Sequence, residues 1–169
     1  MSKIKKLLVG FSVGLNIFLI AMIALGMIQM NFVKEQVLLT EIQKNLVELE
    51  GLIGNQTKNN WSEPNLVTVE LGNVLNGIEL GMTTGNQLGM LSNHDREILN
   101  KLYSKLNQYP NDQLYSFVEL TEKDIASFEE LRGILREAGF GLNIQVNGNM
   151  KSFINQAKKL EKNIEAPLN

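Results

Sequence analysis

The strongest pattern in the chain is an apolar run near its start, from Leu7 to Ile28, that contains no charged residue. Its 22 positions suffice for a helix that crosses a bilayer, which takes about 20 residues, whereas the apolar part of a cleaved signal peptide usually has only ~7–15. Ala24-Leu25-Gly26 is similar to a signal-peptidase site, so cleavage is the alternative. Because apolar residues continue past that site, we predict a signal anchor over residues 7–30.

The charges on either side of this run predict its orientation. Three lysines lie among residues 1–6, whereas the far side begins with the neighbouring pair Lys34 and Glu35. By the positive-inside rule, we expect residues 1–6 to be cytoplasmic and residues 31–169 to form an extracytoplasmic domain. The sequence therefore predicts a single-pass protein of the cell membrane.

After the anchor, apolar residues recur at alternating spacings of three and four, the period of an amphipathic helix. This stripe consists of Leu39, Ile42, Leu46, Leu49 and Ile53. We expect the helix to continue the transmembrane helix outward as a stalk and to end near Gly54. The stripe is shorter than the three to four heptads of a firm coiled-coil pattern, so packing within the domain is favoured over a seam that joins two copies.

Glycine recurs at every fourth position in the next predicted helix, which runs from about Glu63 toward Leu91. The four positions are Gly77, Gly81, Gly85 and Gly89. Each glycine in a helix interior costs about 1 kcal/mol relative to alanine, and residues four apart share one face, so a close approach of another backbone is expected along this ladder. Packing inside the domain is the favoured use. A kinked helix and a groove for a separate partner are the alternatives.

The remaining helices are predicted from their ends. Ser92 with Asp95 and Thr121 with Asp124 both match the capping box that starts a helix, and Gly139 suits a helix C-terminus. A last helix follows from about Met150. The fold class is therefore all-α, with a bundle of four or five helices outside the membrane. Alternating or β-prone residues at 114–120 and 142–146 leave open a minor two-stranded ribbon.

Composition restricts the chemistry of the outer domain. Residues 31–169 carry 13 Lys and Arg against 18 Asp and Glu, a formal charge of −5, which argues against nucleic acid as a partner. The absence of cysteine excludes disulfides and thiolate metal sites, and His94 is the single histidine. We predict no catalytic residue, no metal ligand and no cofactor.

These features favour a non-enzymatic interaction or scaffold module of the cell envelope, bound to the bilayer through residues 7–30 and to an envelope or membrane protein. Gly10 and Gly14 are candidates for pairing of membrane helices, which leaves a homodimer open. The alternative is an extracytoplasmic sensor or binding domain for a small ligand, in a cavity near Trp61, Tyr103 and Tyr109, acting through a membrane partner. A less favoured alternative is an envelope hydrolase with a site that the linear sequence hides. In outline, the architecture resembles the sensor half of bacterial chemoreceptors and sensor kinases.

Overall fold

The structure is a computed structural model in which the described residues are 3–87, 89, 91–111, 119–142 and 149–165, without the side chains of residues 30–40. Over these residues the chain forms six α-helices and no strand. The all-α class is thus confirmed for the described residues. The stretches at 114–120 and 142–146, where a ribbon was an alternative, lie mostly outside them. The chain divides into two compact units, Met1–Glu35 and Gln36–Asn169.

The first unit contains most of helix α1 (Lys3–Leu38). Its part from Lys3 to Gln29 has a mean hydropathy of 2.4 over its most apolar window, and none of that window is buried. Twenty-seven residues of α-helix span about 40 Å, more than the ~30 Å of a bilayer's hydrocarbon core. Among the described residues, one helix is therefore long and apolar enough to cross a membrane.

The second unit begins with the last residues of α1, which are followed by a π-helical segment and five further α-helices. The π-helical segment is Leu39–Lys44, and the helices are α2 (Asn45–Lys58), α3 (Asn65–Gln87), α4 (Asn93–Leu106), α5 (Glu122–Ala138) and α6 (Met150–Asn163). Helix α2 packs on α3 and α5, α4 packs on α3 and α6, and α5 packs on α6. The five helices thereby enclose one core, because each contacts two of the others.

The core of this unit is aliphatic with a few aromatic rings. Its largest fully buried side chains include Phe128, Phe140 and Phe153, which come from α5, from the segment after α5 and from α6. The predicted stripe contributes Ile42, Leu46, Leu49 and Ile53, each with none of its surface exposed. Leu39, its first member, lies among the residues whose side chains are not described. The four described side chains are thus buried against the chain's own helices.

Capping residues define several helix ends as the sequence predicts. Both predicted capping boxes are present, since Ser92 and Thr121 accept hydrogen bonds from the backbone amides of Asp95 and Asp124. Gly139 ends α5 with a φ of 98°, a left-handed conformation that favours glycine. Helix α3 ends at Gln87, earlier than the predicted limit near Leu91.

Candidate functional site

The most elaborate polar cluster in the described residues surrounds Glu50 on α2. Its side chain is 1% exposed, yet both carboxylate oxygens have donors. Arg132 Nε and Arg136 Nη1 each donate to Oε1 at 3.0 Å, and the backbone amide of Leu142 donates to Oε2, also at 3.0 Å. A buried carboxylate with three donors, two of them charged, is fully compensated.

The protonation state of Glu50 follows from these contacts. Burial raises the pKa of its carboxyl group, but the hydrogen bonds from Leu142, Arg136 and Arg132, with the charge of Arg136, lower it further than burial raises it. The net pKa is below the ordinary range, so the carboxylate is ionised at neutral pH. At neutral pH the cluster therefore contains one negative charge, on Glu50, held between the positive charges of Arg132 and Arg136.

Local sequence explains why these groups meet. Arg132 and Arg136 are four residues apart on α5 and therefore lie on one face of that helix. Gly139 then turns the chain in its left-handed conformation, and Leu142 follows with its amide directed at Glu50. Two of the chain's three arginines thus contact one carboxylate. Arginine suits this role because its planar group donates in fixed directions.

A cleft of about 270 Å³ lies beside this cluster, between α2 and α5. Its α2 wall consists of Gly51, Gly54, Asn55 and Lys58, which lie on one helix face because they are three or four residues apart. A Cβ atom added at Gly54 would lie 2.7 Å from the guanidinium of Arg132. Glycine at this position therefore lets the arginine lie flat against α2.

The charges that line the cleft do not balance. Lys58, Arg132 and Arg136 are cationic, and Glu50 is the anionic lining residue, a surplus of two positive charges. The structure shows no ion pair for Lys58 with any described residue. In an acidic domain, this cleft has the chemistry of an anion-binding site.

A second buried glutamate, Glu70 on α3, has the opposite environment. Its side chain is 8% exposed, Asn73 Nδ2 donates to Oε2 at 3.0 Å, and Oε1 is the one buried side-chain polar atom without a partner in the described part of the chain. Burial raises the pKa of Glu70, the negative charge of Glu48 raises it further, and the hydrogen bond from Asn73 and the charge of Lys44 offset only part of this.

The predicted glycine ladder is divided by the structure. Gly77, Gly81 and Gly85 are buried on α3, and a Cβ atom at Gly77 would lie 2.5 Å from the backbone carbonyl oxygen of Glu41 in the π-helical segment. A Cβ atom at Gly85 would meet the side chain of Leu91. Gly89 lies beyond the end of α3 with a φ of 63°, so it does not share the helical face. A ladder of four therefore does not form.

The other sequence candidates lie apart from the Glu50 cleft. Gly10 and Gly14 are exposed on α1, with no heavy atom within 4 Å of an added Cβ. His94 is exposed at the start of α4. Within the described residues, no three side chains of the types His, Cys, Asp and Glu gather as a metal site would require.

The aromatic residues that suggest a ligand cavity pack on one another in the structure. The ring centroids of Trp61 and Tyr109 lie 6.0 and 5.6 Å from that of Phe128. Trp61 Nε1 donates to Glu129 Oε1 at 3.2 Å, and burial raises the pKa of Tyr109 to about 12. Tyr109 and Phe128 are core residues, and Tyr103 is partly buried against the same core.

The Glu50 cluster is absent from the candidates that the sequence suggests, although the sequence holds a partial signal. Glu50 lies four residues after Leu46 and three before Ile53, so helical spacing places a charge at the edge of a buried face. Its arginine partners lie 82 and 86 positions away. A single sequence does not specify contacts at that separation.

Comparison of the chain with protein-family models, curated proteins and solved structures returns no match.

Proposed function

We propose that the protein is a single-pass membrane protein of the cell envelope, with a cytoplasmic N-terminus and an extracytoplasmic helical domain. The observation that supports the anchor is the segment Lys3–Gln29 of α1, whose most apolar window has a mean hydropathy of 2.4 and is not buried by protein in the described residues. A helix that is apolar all round is stable in a large core or in lipid. The three lysines that precede the apolar run from Leu7 to Ile28 support the orientation.

The cysteine-free sequence gives a direct test of this topology. Single cysteines at Ser2 and at the exposed Asn100 of α4 are labelled in spheroplasts with a membrane-impermeant maleimide. We expect Asn100→Cys to react in intact spheroplasts and Ser2→Cys to react only after lysis. The reverse pattern contradicts the proposed orientation. Loss of the Ser2→Cys label from the mature chain indicates cleavage instead of anchoring.

We further propose that the domain is a non-enzymatic module that binds another envelope protein. The helices of the second unit enclose an aliphatic core, and the chain's single histidine lies exposed. Photoreactive side chains at one exposed position on each helix, such as Leu80 on α3, test this in intact cells. A reproducible crosslinked partner supports the proposal. Failure at all positions under several growth conditions counts against it.

The cleft at Glu50 favours a second candidate function, an extracytoplasmic binding domain for a small ligand that acts through a membrane partner. Helical domains build such sites between their helices. Thermal unfolding of the full chain in neutral detergent, with neutral, cationic and anionic metabolites and cell-wall fragments, provides the test. A ligand that binds the folded state raises the unfolding midpoint. Uniform absence of a shift removes this candidate.

A further inference from the structure

In the cleft between α2 and α5, the two arginines keep N–H donors for a ligand, because Glu50 accepts hydrogen bonds from only some of them. Glu50 receives the Nε–H of Arg132 and one Nη of Arg136. The structure shows no hydrogen bond from the terminal amino groups of Arg132 to any described residue. The side chains of Arg132 and Arg136 are 32% and 44% exposed, so unused donors are accessible from solvent.

The carboxylate of Glu50, the one negative charge that lines the cleft, is buried and therefore does not contact an incoming ligand. Glu50 is 1% exposed, and its oxygens accept three hydrogen bonds from groups around it. An anion in the cleft would therefore meet the outer sides of the guanidinium groups and the ammonium of Lys58, while the buried carboxylate fixes the position of both arginines. Such preorganisation lowers the entropic cost of binding.

The shape of the cleft limits the size of the ligand. Gly51 and Gly54 have no side chains, so Leu142 and Arg132 lie directly against the α2 wall. The volume of the cleft is about 270 Å³, close to the lower limit of about 300 Å³ for small-molecule pockets. Arginine recognises carboxylate and phosphate through paired hydrogen bonds. Both groups thus share the chemistry that the cleft selects.

We infer that this cleft binds a small molecule through a carboxylate or phosphate group, held by Arg132, Arg136 and Lys58. The inference rests on the second candidate function and is independent of the orientation of the anchor. If another metabolite stabilises the protein while both anions fail, ligand binding stands and the anion assignment falls.

Isothermal titration of the full chain in neutral detergent tests the inference, with inorganic phosphate and succinate as separate probes at constant ionic strength. We expect saturable 1:1 binding of at least one probe. Binding of phosphate alone assigns a phosphate ligand, and binding of succinate alone assigns a carboxylate ligand. Absence of saturable binding by both overturns the inference.

A lysine pair separates binding in the cleft from general attraction to positive charge. Lys58 has no ion pair with a described residue, so Lys58→Gln keeps the Glu50 cluster intact. We expect it to weaken binding roughly tenfold, the loss of one charge-assisted contact. Lys162→Gln, an exposed change on α6, is the matched control and should leave affinity unchanged. Equal losses in the two variants, or none in Lys58→Gln, would place the anion elsewhere and overturn the inference.

Discussion

Two glutamates are buried among the residues that the structure describes, and their surroundings differ. Glu50, between α2 and α5, receives two arginines and a backbone amide, whereas Glu70 on α3 receives one amide donor and leaves Oε1 without a partner. Burial raises the pKa of both carboxyl groups, yet the net pKa of Glu50 is lowered and that of Glu70 is raised. The donors around a buried carboxylate thus decide the sign of its shift.

The difference extends to how the helices approach one another. Beside Glu50, the glycines of α2 face flexible ends of side chains from Arg132 and Leu142. On the α3 side, Gly77 faces the backbone carbonyl of Glu41 in the π-helical segment. A side-chain end moves easily and a helical carbonyl does not. The interface of α2 with α5 is therefore adaptable and charged, and that of α3 with the π-helical segment is close-packed.

The largest expected effect comes from removing the charge of Glu50. Glu50→Gln leaves Arg132 and Arg136 side by side without their counter-charge. Breaking a buried pair costs about 3–5 kcal/mol, and we expect the lower end of this range because both arginines are partly solvated. Thermal unfolding of the full chain in detergent measures the change. Glu79→Gln, an exposed change on α3, should have little effect. Equal stability of the two variants would contradict a structural role for the cluster.

The next effect concerns the close approach at Gly77. Gly77→Ala places a methyl group 2.5 Å from the Glu41 carbonyl oxygen. We expect a loss of about 1–2 kcal/mol after allowing for the better helix propensity of alanine. Gly133→Ala is the control, because a Cβ at this exposed α5 position meets no heavy atom within 4 Å. It should stabilise the protein by up to ~1 kcal/mol. Stabilisation by both variants would show that α3 approaches the π-helical segment less closely.

Glu70→Gln should have a smaller effect of the opposite sign. Because the folded state raises the pKa of Glu70, ionisation lowers stability as the pH rises from the ordinary carboxyl pKa through the raised one. The neutral amide removes this penalty, so we expect a gain of about 1 kcal/mol or less at neutral pH and none in acid. Unfolding midpoints measured from neutral pH down to below the ordinary glutamate pKa of about 4.3 give the change. A loss of stability at neutral pH would contradict the raised pKa.

The smallest effect on stability is expected at Gly54. Gly54→Ala brings a methyl group against the end of Arg132, which moves away at little cost. Stability should change by less than about 1 kcal/mol, and less than in Gly77→Ala. The displaced arginine should still weaken anion binding in the cleft. A larger destabilisation than that of Gly77→Ala would reverse the comparison between the two interfaces.

The sequence predicts local features better than distant contacts. Capping boxes at Ser92 and Thr121 and the left-handed Gly139 depend on residues within four positions, and the structure confirms them. The glycine spacing predicts a ladder of four, but α3 ends before Gly89. The π-helical segment leaves no mark in the apolar periodicity, because Ile42 and Leu46 remain on the buried face.

The candidate site was not predictable for the same reason. Nothing in the residues around Arg132 indicates that they contact Glu50, since the contact depends on how α5 packs on α2. The membrane anchor, by contrast, is predicted from the composition and length of one helix, and both can be read from the sequence without knowing any tertiary contact. A site assembled from two helices requires the tertiary structure.

Titration of the two carboxyl groups tests the account most directly. The full chain, carrying ¹³C-labelled glutamate, is followed by NMR of the side-chain carboxyl carbons as the pH is lowered from neutral. Glu50→Gln and Glu70→Gln assign the two signals by their disappearance. We predict that Glu50 titrates below the ordinary range of exposed glutamates in the same spectrum and Glu70 above it. Titration of both groups within the ordinary range, or in the reverse order, would contradict the fixed-charge cluster on which the anion cleft depends.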